Sequence, residues 1–190
     1  MNGSVPYYYQ DTEEERTRAM AEITSNPFPI TEKGLTDAKP LYNIYCGICH
    51  GEKGDGNGYI VRDDGGVYPA QPANLISDEF IAASSGRFYH AMIYGKNVMG
   101  GYADKLSYEE RWQVIHYVRS LQAKEKKLVY SEQANSLNNI GVPGASVKPM
   151  AINEHPAEMD GEEHGEGHDH EGGDHSHDHS GGDHDHGGGH

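Results

Sequence analysis

Apolar positions recur at helical spacing along the first two thirds of the chain, while strand-type alternation is nearly absent. The clearest run follows Ser107-Tyr108-Glu109-Glu110, which fits a capping box. Behind it Trp112, Ile115, Val118 and Leu121 fall at three-residue steps, with Val114 beside them, and predict one buried helix face. An earlier helix is expected to start at Thr36 or Asp37, with Pro40 in its first turn. It runs through Leu41, Tyr42, Ile44 and Tyr45 into Cys46. Ser77 caps a third, with Asp78 and Glu79 well placed against its dipole, and Ser85-Gly86 interrupts it. A run from Arg87 to Tyr94 stops at Gly95. These elements predict a small all-α domain over residues 34–123.

The flanks read differently. Residues 1–33 form an N-terminal arm with a short, weakly apolar helix around Thr12–Ile23, broken by Asn26-Pro27-Phe28-Pro29. Such an arm is either loosely held or docks on a partner. Residues 124–150 are basic at first and are expected to be extended. Residues 151–190 are low-complexity His, Asp, Glu and Gly.

Composition changes the picture at one point. The net charge of −15 belongs mostly to the tail, where 12 acids stand with no Lys or Arg. The rest carries 18 acids against all 15 bases and is close to balanced. No basic stripe exists for phosphates, which argues against nucleic acid as a partner. No apolar run is long enough to span a membrane, and Met1–Pro6 does not read as a signal peptide.

The chemistry lies in Cys46-Gly47-Ile48-Cys49-His50, the C-x-x-C-H spacing of covalent c-type haem attachment. Two thiols two residues apart at a helix end reach the two vinyl groups of adjacent pyrroles, and the next histidine meets the iron. A redox dithiol would want a preceding strand, and structural zinc would want four ligands, for which the domain adds only His90 and His116. Electron transfer calls for a filled sixth position. Met99 is the predicted ligand, on a flexible glycine-flanked loop, Lys96–Lys105, that swings its sulfur over the iron. Met92 reads as core, and His90 as a weaker competitor. The proximal His50 needs an acceptor for its Nδ1–H, and the Pro72 carbonyl is the first choice, with Pro69 the alternate. The glycine loop Gly51–Gly58 lacks GK[ST] and does not complete an EF-hand, so it reads as backbone passing the macrocycle edge.

With Cys46–His50, Pro72-Ala73-Asn74-Leu75, Met99 and the Trp112–Leu121 helix in this order, residues 34–123 resemble class I c-type cytochromes. The resemblance implies crossed N- and C-terminal helices around one haem c, with Ala38 and Tyr42 facing Trp112 and Tyr117 at the crossing. The phrases Leu41–Cys46, Tyr68–Leu75 and Tyr94–Gly100 are similar, more narrowly, to the monohaem cytochrome c component of bacterial alternative complex III. That resemblance implies an electron-transfer subunit, not itself an enzyme, in a quinol-oxidising respiratory membrane complex. Electrons would arrive from a multihaem cytochrome and leave for an oxidase or a soluble carrier. It also implies export to the periplasmic face of the inner membrane. Some relatives are lipid-anchored through an N-terminal cysteine, and no cysteine stands near the N-terminus of this sequence. The alternatives are a free-standing periplasmic carrier, or a haem enzyme or sensor with an open distal site. In the tail, His168/His170, His175/His177/His179 and His184/His186 repeat His-x-His, which suits divalent metals in extended chain.

Overall fold

The computed structural model describes residues 5–61, 68 and 70–141. These lie within one unit, Met1–Ile152, and the second unit, Asn153–His190, falls outside the described residues together with the His-x-His repeats.

Thr12 caps α1 (Glu13–Glu22) through its side chain, as the arm's pattern predicts. α2 (Glu32–Tyr42) starts earlier than expected. Thr31, not Thr36 or Asp37, is the cap, and its hydroxyl accepts the Gly34 N–H at 3.0 Å. Pro40 therefore sits inside the helix, where its missing N–H removes one rung of the ladder. A π turn (Asn43–Gly47) carries the helix on into α3 (Ile48–His50), and Gly51 at φ 78° ends it. α4 (Asp78–Ile81) and α5 (Ser85–Tyr94) follow, with Ser84 and not Gly86 at the break. Two-residue strands β1 (Gly95–Lys96) and β2 (Met99–Gly100) pair antiparallel. α6 (Tyr108–Glu125) begins with the predicted capping box complete in both directions. The described residues are thus all-α apart from one tiny hairpin.

α2 and α6 cross at the centre. Ala38 and Tyr42 are fully buried there, and the Tyr42 and Tyr117 rings lie 5.2 Å apart. Trp112 stacks on Tyr89 of α5 at 4.3 Å. The small residue at position 38 lets the backbones approach, and the aromatics fill the angle between them.

The flanks depart from expectation. The arm lies on α5: Ala19 is fully buried, and the Gly86 N–H donates to the Ile23 carbonyl at 2.8 Å. A Cβ at Gly86 would collide with the Ala19 carbonyl, so only glycine permits this approach. Beyond the arm helix, the Asn26 amide donates to the Trp112 carbonyl at 2.9 Å. Residues after α6 are not simply extended. Tyr130 and Leu137 close a second apolar cluster with Ile30, Ile81 and Ala123, and a 3₁₀ turn spans Ser136–Ile140. Leu137 anchors that turn because chain that buries no side chain cannot offset its ordering entropy.

Candidate functional site

α2 and α6 leave a cavity of about 460 Å³ between the end of the motif helix, the segment 70–75, α5 and the hairpin. Its size is within the roughly 300–1,000 Å³ typical of small-molecule sites. Cys46, Cys49, His50, Pro72, Met92 and Met99 all line it, on a wall otherwise rich in Leu75, Phe80, Phe88 and Val118.

Cys46 and Cys49 do not pair in a disulfide. Burial, and then Cys49 beside it, push the Cys46 thiol up to about 12. Burial likewise raises Cys49. Their surroundings do not hold either as a thiolate, as an activated redox dithiol would require. Among the described residues no group of three or more His, Cys, Asp or Glu gathers around a metal position.

His50 Nδ1 lies 2.9 Å from the Ala73 carbonyl oxygen. Burial lowers the His50 pKa, and the Ala73 bond opposes that only in part. The ring is therefore neutral, with Nδ1–H donating and the Nε2 lone pair left for a metal. This corrects the Pro72 assignment by one residue. The Pro72 carbonyl lies over Gly56 instead, where a Cβ would come within 2.9 Å of it. Pro72 still lines the cavity; Pro69 lies outside the described residues.

The segment 70–75 is held from three sides. The Gln71 amide donates to the Gly56 carbonyl at 2.8 Å. The Leu75 N–H donates to the Gly54 carbonyl at 2.7 Å, and the Gln122 amide donates to the Leu75 carbonyl at 2.7 Å. Gln122 is a part of the site that the motif reading missed. Its signal was legible: Trp112, Ile115, Arg119 and Gln122 continue a buried stripe at spacings of three, four and three. Arg119 on the same stripe is 1% exposed, and its guanidinium donates to the Ile81 carbonyl at 2.9 Å and Gln122 Oε1 at 2.8 Å. Burial brings its pKa down to about 10, so it stays charged at neutral pH.

The glycine loop does not line the cavity, contrary to expectation. It folds behind the motif: Gly56 N–H donates to the His50 carbonyl at 2.8 Å and Gly58 N–H to the Cys49 carbonyl at 3.0 Å. These bonds satisfy the last carbonyls of a helix end that would otherwise be orphaned. Tyr42 adds a third tie, its hydroxyl donating to the Gly51 carbonyl at 2.8 Å.

Met99 sits on β2, opposite Lys96 of β1. Its loop is pinned and does not have the freedom that its glycines suggest. Asn97 adopts φ 56° in the turn, and the Tyr68 hydroxyl donates to the Val98 carbonyl at 2.9 Å. The Tyr102 N–H donates to the Met92 carbonyl at 2.7 Å just beyond. Met92 is buried, as its core reading requires, and also touches the cavity. His90 is not on the cavity wall. It is buried, with its Nε2 3.1 Å from the Gln10 carbonyl.

The geometry is therefore two thiols, a neutral imidazole with a free nitrogen and a thioether around one apolar cavity. The family model described as "Cytochrome C oxidase, cbb3-type, subunit III" matches residues 34–118. The match supports a class I c-type cytochrome domain over these residues. Such a domain carries covalently bound haem c and serves haem-based electron transfer. No curated protein matches the chain. No helix among the described residues is long and apolar enough to cross a membrane.

Proposed function

We propose that this chain is the monohaem relay subunit of a quinol-oxidising respiratory membrane complex of the alternative complex III type. It works at the periplasmic face of the inner membrane, between a multihaem cytochrome and an oxidase or soluble carrier. The observation carrying the relay is the single cavity that joins Cys46, Cys49 and His50 to Met99. Bound haem c supplies one-electron exchange between ferric and ferrous iron. Cys46 and Cys49 anchor the group. His50, oriented by Ala73, and Met99 would be the residues that hold the iron. The apolar wall excludes water and favours the less charged ferrous state.

Support for a subunit comes from the surface and from the phrases Leu41–Cys46, Tyr68–Leu75 and Tyr94–Gly100. Ile44 and Ile48, one turn apart beside the cysteines, are 64% and 43% exposed. Exposed apolar side chains beside a cofactor attachment turn suit contact with a fixed neighbour. The nearly balanced charge of residues 1–150 lacks the strong patch that steers a diffusing carrier.

The first test is an optical spectrum of the ferric holoprotein, taken into the far red. A methionine-to-iron charge-transfer band is expected, and Met99→Ala abolishes it. A high-spin wild-type spectrum would mean an open distal site and would replace the relay with haem catalysis or ligand sensing.

A further inference from the structure

The arm helix places a cation on the haem cavity. Arg16 belongs to α1, outside the matched segment 34–118, yet its side chain lines the cavity and is only 15% exposed. Its Nη1 meets Glu13 Oε1 at 3.2 Å, but that carboxylate is 66% exposed. Its Nε is buried and has no hydrogen-bond partner among the described residues. A buried guanidinium N–H without a partner calls for an acceptor.

Two more cations line the same cavity. Arg87 of α5 stacks its guanidinium 4.0 Å over the Phe80 ring, and its Nη2 pairs with Glu79 at 2.6 Å. Lys96 of β1 pairs with Glu13 at 2.5 Å. Glu13 is the one lining carboxylate among the described residues, so the wall carries surplus positive charge. The remaining titratable groups there are Cys46, Cys49, His50, Tyr42, Tyr45, Tyr68 and Tyr102.

Haem c brings two propionate carboxylates, on the porphyrin edge away from its thioether bonds. The cations come from α1, α5 and β1, and none comes from the Cys46–His50 turn. We propose that Arg16 binds a haem propionate, so that the N-terminal arm is a wall of the cofactor site. A bidentate guanidinium suits a carboxylate better than an ammonium does. Arg16 is then a positioning residue that also sets the potential. A propionate left unpaired stabilises the more positive ferric haem, or takes up a proton when the iron is reduced.

This inference rests on the haem assignment, so covalent haem is confirmed first in each protein by its pyridine haemochrome. Absence of haem would sink the site reading as a whole. In haem-loaded Arg16→Gln the midpoint potential is expected to fall, by about tenfold in the redox equilibrium constant or about 59 mV for one electron. It should also become pH-dependent between roughly pH 5 and 8, above the usual carboxylate range. Arg16→Lys should recover most of the potential. An unchanged, pH-independent potential in Arg16→Gln overturns the role of Arg16 and leaves the haem assignment intact. Should Arg16→Gln fail to mature, the wild type still decides. Its potential is expected to be flat over that window, and a redox-linked carboxyl titration there overturns the pairing.

Discussion

His116 is buried and His50 partly buried, and their partners give them different work. His50 spends one nitrogen on Ala73 and, in the proposed haem site, keeps the other for iron. His116 spends both: Nε2 lies 2.9 Å from the Phe28 carbonyl and Nδ1 lies 2.6 Å from the Tyr130 hydroxyl. A carbonyl only accepts, so Nε2 carries the proton and Tyr130 donates to Nδ1. Burial lowers the His116 pKa to about 4, with the Phe28 bond opposing it and Arg119 reinforcing it. The unfolded chain binds this proton near the ordinary value of about 6.5, before the folded chain does. Folded stability should therefore be full above about pH 6.5, fall as pH drops toward 4, and level off below it. The loss from this residue is on the order of 3 kcal/mol. Denaturant titrations of the holoprotein from pH 7 to 4 measure it. His116→Gln should be less stable at pH 7 but flatter across the window, and an equal slope in both proteins would refute the assignment.

Elements are coupled at close approaches. α1 has thin apolar content and would be marginal alone, yet it is ordered because Gly86 lets it settle on α5. Gly86→Ala places a methyl against the Ala19 carbonyl. A loss of about 1–3 kcal/mol is expected from overpacking. The physical consequence is an arm that lifts, so trypsin should cut after Arg16 or Arg18 faster than in the wild type. Unchanged melting and unchanged cleavage would mean that the arm is not held at this contact. α6 plays the other structural part. One face crosses α2, while Gln122 near its end fixes the segment that presents Ala73 to His50.

For the whole molecule, balanced charge in residues 1–150 and exposed Ile44 and Ile48 favour a fixed place in an assembly. Gentle solubilisation of the native membrane and haem staining of a native gel test this. The chain is expected to migrate with a multihaem cytochrome in one large band. Haem stain found only at the size of the isolated chain would favour the free-standing carrier. The His-x-His tail lies outside the described residues, and its divalent-metal chemistry stands on its sequence alone.

The haem motif, the all-α class and the capping box of α6 were legible in the chain, because each depends on neighbours a few residues apart or on one helical period, whereas the Ala38, Tyr42 and Tyr117 crossing followed only from the resemblance to class I c-type cytochromes. Met99 was nominated by its loop, and the fold brought it to the cavity wall shared with His50. Local spacing could not choose between the Pro72 and Ala73 carbonyls, since the answer depends on which way an extended segment is turned by Gly56, Gln71 and Gln122. Nor could it show that the arm and residues 128–141 fold back onto the domain, or that Arg16 reaches the cavity. Those contacts join residues far apart in the chain, and only three-dimensional packing brings them within reach of one another.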